Sequence, residues 1–211
     1  MAGLLEASER NKRAYDRFLQ LWNNERYSPI VLPREQEVLD TVKEYLSKSQ
    51  DRIAMYDKVH RDMVHLHMER LRFIFEDYVR LRLSKLSDKP FLYMQTELQK
   101  YLTENEQDAA RAFLELSHQL LNTTIFQPIK AILSNHATEL DPEASFQKEL
   151  RETLSRQLIL LRSKVVVVRF LQATTITSFD TETVVAIDDQ LAVHFDAVED
   201  HVIKGSAVLV G

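Results

Sequence analysis

Met68 to Leu86 reads MERLRFIFEDYVRLRLSKL, a stretch too apolar for a helix with one exposed face and too charged for a closed core. On a helical wheel Val59, Met63, Leu66, Leu71, Phe73, Ile74, Tyr78 and Leu81 fill one broad face, and Val64, Met68, Phe75, Val79 and Leu86 carry the apolar arc past the half-turn. An ordinary surface helix needs a stripe of about 100° or a little more. The remaining arc, Arg61, His65, Glu69, Arg72, Glu76 and Arg80, alternates in sign at spacings of three or four, so neighbours pair along a wet face. Such a helix is buried by its own bundle, by another chain, or by both.

Outward from this helix, the five prolines (Pro29, Pro33, Pro90, Pro128, Pro142) separate segments with helical apolar spacing. A first helix over about Leu4 to Arg26 buries Tyr15, Phe18, Leu19 and Trp22; YSPIVLP turns the chain, and Pro33 is placed to open the second helix. The second helix repeats Val38, Val42, Leu46, Ile53 and Tyr56, and a break near Asp57 precedes the central helix. Pro90 to Leu102 reads as a shorter helical piece. Thr103-Glu104-Asn105-Glu106 has the form of a capping box opening a helix to about Phe126, with Ala109, Phe113, Leu116 and Leu120 inward. Asp141-Pro142 starts a last helix.

Near Ser163 the composition changes. VVVVRFLQ, TTITS, TVVAID, QLAVHF and AVLV are short runs rich in valine and threonine, interrupted by acidic turns and by DAVEDHVIKG, one helical turn or two. The expected fold is therefore mainly α, a helical bundle over residues 1–145, a linking helix over 146–162 and a small β domain over 163–211. The four-valine run, without polar alternation, predicts cover on both faces.

Composition bounds function. The chain has 211 residues, 45% hydrophobic and 28% charged, with no cysteine, which removes disulfides, thiolate zinc sites and cysteine nucleophiles. No apolar run approaches the roughly 20 residues needed to cross a bilayer, and the opening MAGLLEASERNKRAYDRF lacks a secretion signal's h-region, so a soluble intracellular protein is expected. A net charge of −5 gives no general pull toward nucleic acid or anionic membrane. Residues 163–211 hold three basic residues against seven acidic ones, so the acidity sits in the β region.

Recognisable catalytic chemistry is missing. Three glycines, Gly3, Gly205 and Gly211, cannot form a phosphate-cradling loop of Walker or dinucleotide type. His60 and His67 share a helix face that His65 leaves, a poor metal set, and Asp188-Asp189 reads as a turn rather than a paired carboxylate. No serine sits in an elbow motif. Arg70, Arg72, Arg80, Arg82 and Lys85 scatter around their helix among Glu69, Glu76 and Asp77, unlike a phosphate-binding stripe, and serve better as forked partners for carboxylates at an interface. No cofactor, metal or catalytic residue is expected, and no direct sequence-specific contact with nucleic acid.

In the order of its segments the chain resembles the GINS complex family of eukaryotic DNA replication, and within it the Go ("five", SLD-five) subunits. WNNERYSPIVLP is similar to their first helix and turn. In MERLRFIFEDYVRLRLSKL the residues Glu69, Arg70, Arg72, Tyr78, Arg80, Arg82, Leu83 and Lys85 fall on the family pattern, and HFDAVEDHVIKGSAVLVG resembles the end of the small β domain. The helical-then-β order is that of Go and Ichi and the reverse of Ni and San. Two departures stand out. Relatives often continue the central helix into Lys-Ile-Glu where this chain has Ser84-Lys85-Leu86-Ser87-Asp88, and the first helix, beginning within a few residues of Met1, leaves little room for an acidic adaptor-binding tail.

The resemblance implies an α-helical A domain, a β B domain and a nuclear heterotetramer with the Ichi, Ni and San subunits. It implies a non-catalytic scaffold that joins the MCM ring and the CDC-forty-five protein in the replicative helicase assembly (CMG), and touches polymerase epsilon or adaptors. The candidate interface is Trp22, Tyr27, Arg70, Arg72, Phe75, Tyr78, Arg80, Arg82, Leu83, Val208 and Val210. A contrasting reading is a self-contained adaptor that binds peptides through its β domain, at an open strand edge near Thr174 to Ser178.

Overall fold

The structure is a computed structural model and describes residues 2–52, 57–133, 142–178 and 181–211. It is mainly α, a helical bundle followed by a small antiparallel β region, as the sequence patterning predicts. The helices are α1 (Ala2–Tyr27), α2 (Gln36–Arg52), α3 (Lys58–Asp88), α4 (Pro90–Gln95), α5 (Glu104–Leu121), α6 (Gln127–Leu133) and α7 (Pro142–Arg162). After them come β1 (Val165–Phe170), β2 (Thr174–Ser178), β3 (Thr181–Val185), β4 (Gln190–His194), α8 (Phe195–Lys204) and β5 (Ala207–Val210). The chain groups into two compact units: Met1–Ser28 with Leu32–Arg82 and Val165–Gly211, and Pro29–Val31 with Leu83–Lys164.

In the first unit Phe18 and Leu21 of α1, Leu39 and Val42 of α2, and Leu71, Ile74 and Tyr78 of α3 form one buried cluster. Their spacings of three and four put them on the inward faces. Phe18 meets Tyr78 edge-on with ring centroids 6.0 Å apart, the geometry aromatic pairs prefer. Asp57 lies outside both α2 and α3, so the expected break is present, whereas Ile53 and Tyr56 fall outside the described residues.

Pro33 does not open α2, which begins at Gln36. The preceding segment is needed extended. Leu32 is buried, its N–H donates to Glu25 Oε2 at 3.2 Å, and its carbonyl accepts from Arg82 Nη1 at 2.6 Å. Arg82 Nη1 also lies 3.1 Å from Glu25 Oε2, and both side chains are 1% exposed. The hydrogen bonds satisfy a backbone that has left the helix, which is the condition for burying such an ion pair.

The β region belongs to the same unit. A three-stranded antiparallel sheet has the order β4-β1-β5, and β2 pairs with β3 in a separate hairpin. In α8, ten residues rather than a turn or two, Phe195, Val198 and Val202 pack beneath the sheet. The helix closes at Gly205, whose φ of 76° lies in the left-handed region, with the Ser206 N–H returning to the His201 carbonyl at 3.0 Å. The four-valine run is covered on one face only: Val166 and Val168 are buried while Val165 and Val167 are 63% and 43% exposed. Antiparallel pairing restores the one-sided alternation that an all-valine sequence hides. Asp188-Asp189 forms a turn, Asp188 at φ 67° and the Asp189 carboxylate accepting from the Ala186 N–H at 2.9 Å.

The second unit packs α4 against α5 and α7. The Thr103–Glu106 capping box is complete, with Thr103 N–H to Glu106 Oε2 at 2.9 Å and Glu106 N–H to Thr103 Oγ1 at 3.3 Å. Pro90–Leu102 divides at Thr96 into α4 and a 3₁₀ turn, Glu97–Tyr101. The helix expected to run to Phe126 passes at Asn122 into a π turn, Asn122–Phe126, and then into α6. Its inward residues are Glu106, Ala110 and Phe126; Leu116 and Leu120, read as inward, are each 62% exposed. α7 begins at Pro142, and Asp141 lies outside the described residues.

Candidate subunit interface

The central helix resolves into three stripes. Met68, Leu71, Ile74, Tyr78, Arg82 and Leu86 are buried. Glu69 with Arg72 (2.6 Å) and Glu76 with Arg80 (3.5 Å) form ion pairs along a wet arc. Between these arcs lie Val59, Met63, Leu66 and Phe73, exposed by 65%, 66%, 72% and 59%. Their spacings of four, three and seven hold them in one line. Arg70 falls on that line between Leu66 and Phe73, is exposed, and makes no ion pair among the described residues. An apolar strip with a free guanidinium between Leu66 and Phe73 suits a protein partner carrying a carboxylate.

In the second unit another strip runs Leu116, Leu120, Ile125, Ile129, exposed by 62%, 62%, 43% and 38%. The step from Leu120 to Ile125 is five residues and crosses the π turn, whose wider i to i+5 winding keeps Ile125 below Leu120 where an α-helix would rotate it off the line. Thr123 and Thr124 close hydroxyls onto the Leu120 carbonyl at 3.1 and 2.5 Å, holding the loosened turn.

Among the eleven residues anticipated for an interface, Tyr78, Arg82 and Val208 are buried within their own chain at 1%, 1% and 5% exposure. Trp22 is half-buried, and its indole N–H donates to Asp77 at 2.8 Å; Phe75 is half-buried, 5.8 Å from Phe18 by ring centroids. Arg26 stacks over Trp22 and over Tyr27, which stays 38% exposed. Leu83 and Val210 are partly exposed, Arg72 and Arg80 lie on the ion-paired arc, and Arg70 is on the apolar strip. Val59, Met63, Leu66 and Phe73 were absent from that set because a wheel merges them with the core. Arg70, a charge inside the apolar arc, is the one sequence signal that separates them.

Among the described residues no group of three His, Asp or Glu side chains could hold a metal. His60 pairs with Asp57 and His67 lies between Tyr15 and Tyr45, with His65 exposed. Among the described residues no helix is long and apolar enough to cross a membrane.

The chain is mainly helical with a small β region and carries two exposed apolar strips among its described residues. Residues 35–125 match the Sld5 family, described as the GINS complex protein helical bundle domain. The chain is 28% identical over 95 residues to the DNA replication complex GINS protein SLD5 of Bos taurus, a match covering 44% of this chain and 41% of that relative. It is 30% identical over 93 residues to the same-named protein of Mus musculus, covering 41% and 39%, and 30% identical over 77 residues to that of Rattus norvegicus, covering 34% and 33%. These matches span at most about two fifths of the relatives' length. Residues 35–125 are thus similar to the helical bundle domain of the Sld5 family of GINS complex proteins, in line with the resemblance read from the sequence.

Proposed function

We propose that the chain is a non-catalytic scaffold subunit of a nuclear GINS heterotetramer acting in DNA replication, with the Ichi, Ni and San subunits as direct partners. Through that tetramer it joins the MCM ring and the CDC-forty-five protein, and polymerase epsilon or adaptors meet the assembled complex. The observation that carries the reading is the exposed strip Val59, Met63, Leu66, Phe73 with Arg70 between the last two. The family match and the shared name of the relatives support it.

The energetics favour a large interface. Covering one of these side chains contributes about 1.5–3 kcal/mol of transfer free energy, so the α3 strip offers on the order of 8 kcal/mol. Association costs about 4–15 kcal/mol before any surplus appears. One strip therefore gives weak binding by itself, and stable assembly calls on further surface, such as the Leu116–Ile129 strip and the exposed sheet face of Val165 and Val167. We read residues 1–145, 146–162 and 163–211 as the A domain, the linking helix and the B domain of this subunit.

The test is co-expression with an affinity-tagged Ichi subunit together with Ni and San. The chain should co-purify with all three, and Phe73→Asp or Leu66→Asp should strip it from the complex while leaving its helical content intact. Unimpaired co-purification of both variants would remove α3 from the interface and sink the reading.

A further inference from the structure

The sheet β4-β1-β5 has two edges, and the chain caps one of them. On β5 the Leu209 N–H, which points away from β1, donates to the Asn24 side chain at 2.9 Å. The Phe170 N–H donates to the Asp189 carbonyl and the Leu171 N–H to the Ser206 carbonyl, so even-numbered residues of β1 bond toward β4 and odd-numbered ones toward β5. The β4 residues registered with odd-numbered partners, Gln190 with Arg169, Ala192 with Val167 and His194 with Val165, therefore turn their N–H and C=O groups outward. Gln190 and Ala192 are exposed, and among the described residues no hydrogen bond reaches the outward groups of either. The strand, QLAVH, holds no proline and no lysine, the residues that blunt an open edge.

The surroundings select an occupant. Across the outer face runs the row Val210, Val167, Ala192. Val167 is 43% exposed and Ala192 is small, so a ring on an added strand reaches over Ala192 to Val167. On the other face Leu191 and Val193 are partly exposed. Asp188 precedes the strand and Asp196 follows it, both exposed and neither in an ion pair among the described residues; Asp189 is held by the Ala186 N–H. The basic residues of the region stand further off. Arg169 lies on β1, Lys164 precedes that strand, and Lys204 closes α8 at the end away from β4. His194, the one titratable side chain of β4, is partly buried.

We propose that the open edge of β4 takes up, as a further antiparallel strand, an extended segment of another protein with an aromatic residue at its centre and a basic residue at each end. The ring lies opposite Ala192, and the basic ends reach Asp188 and Asp196. Main-chain hydrogen bonds to Gln190 and Ala192 supply the affinity, while Val167 and the two carboxylates choose the sequence. The proposal goes beyond the assembly reading and does not rest on it, since every group it uses lies in the β region.

The probe is a dye-labelled, amidated peptide, Lys-Thr-Thr-Val-Phe-Val-Thr-Thr-Lys, titrated into the full chain and followed by anisotropy. Saturable binding is expected, with slowed hydrogen exchange at the Ala192 amide. N-methylating the phenylalanine, whose N–H faces the Ala192 carbonyl, should weaken binding more than about tenfold, whereas the same change on the next valine, whose N–H points away, should cost less than about twofold. Glutamate in place of both lysines should weaken binding by about fivefold or more, as two exposed ion pairs turn to repulsion. Ala192→Pro removes the outward N–H, leaves the ladder to β1 intact, and should abolish binding in a chain of unchanged helical content. Absence of saturable binding, an equal loss from the two methylations, or unchanged affinity with the glutamate peptide or the Ala192→Pro chain would overturn the proposal.

Discussion

Arg82 shows how far one side chain can lie from the role its sequence suggests. Its place in a charged central helix reads as a contact to another subunit, yet it is 1% exposed and bound within its own chain to Glu25 and the Leu32 carbonyl, with its guanidinium 5.7 Å from the Tyr78 ring. Glu25 lies 57 residues away in sequence, and no periodicity within either helix announces the pairing. Removing one partner strands a buried charge, so Arg82→Met should cost about 3–5 kcal/mol of stability. A urea melt of the purified chain checks this, and a loss below about 1 kcal/mol, as for an exposed pair, would contradict it. The pair of Glu97 with Arg162, at 2.5 Å, is a contrasting case, with the carboxylate side chain 49% exposed. The hydrogen bond from Arg162, then its charge, holds the Glu97 carboxyl below its ordinary value of 4.5. A depressed folded value means the stabilisation is present above that ordinary value and is lost as pH falls through the folded one. Glu97→Gln should therefore lower stability near neutral pH by at most about 1 kcal/mol, given the exposure. The difference from the unsubstituted chain should vanish in melts at the acid end; a gap that widened there would be of the wrong sign.

At the scale of the element, the legible features were those set by local chemistry. The Thr103–Glu106 box lies within four residues and forms as read. Features set by what lies opposite were hidden. A wheel could not divide the apolar arc of α3, because Leu71 and Phe73 differ only in whether α1 and α2 lie over them. Likewise Leu116 and Leu120 have core-like spacing, while the packed side of α5 runs through Glu106 and Ala110. The π turn had no sequence signal beyond Thr123-Thr124, two β-branched residues at its centre. The two kinds of apolar residue separate by experiment. Tyr78→Ala should destabilise the chain by about 3–5 kcal/mol, the cost of emptying a buried aromatic site. Phe73→Asp should change it by less than about 0.5 kcal/mol and act on assembly instead. Thermal melts of the lone chain beside co-purification distinguish the two, and a Phe73→Asp chain as unstable as Tyr78→Ala would mean the faces are wrongly assigned.

On the larger scale, the β region is held to α1 within the first unit. The Asn24 side-chain oxygen accepts from the Leu209 N–H at 2.9 Å, capping the free edge of β5, and Arg17 binds Glu35 while reaching the Ile203 carbonyl at 3.3 Å. The left-handed closing turn of α8 favours glycine at 205, and a Cβ there would also displace the Arg17 guanidinium that lies beside it. The composition shift near Ser163 made the β region visible in sequence, but nothing local tied it to α1. Asn24→Ala should expose the Leu209 amide to hydrogen exchange with little change in α2 or α3; unchanged protection at Leu209 would place the edge bond elsewhere. On the proposed reading this chain is part of a larger assembly, with its exposed strips covered by other subunits. Light scattering after size exclusion tests it most directly, on the chain expressed alone and with the Ichi, Ni and San subunits. A stable particle with one copy of each subunit is expected, and a lone chain that self-associates through its uncovered strips. A lone chain that runs as a clean monomer and ignores the other three subunits would contradict it.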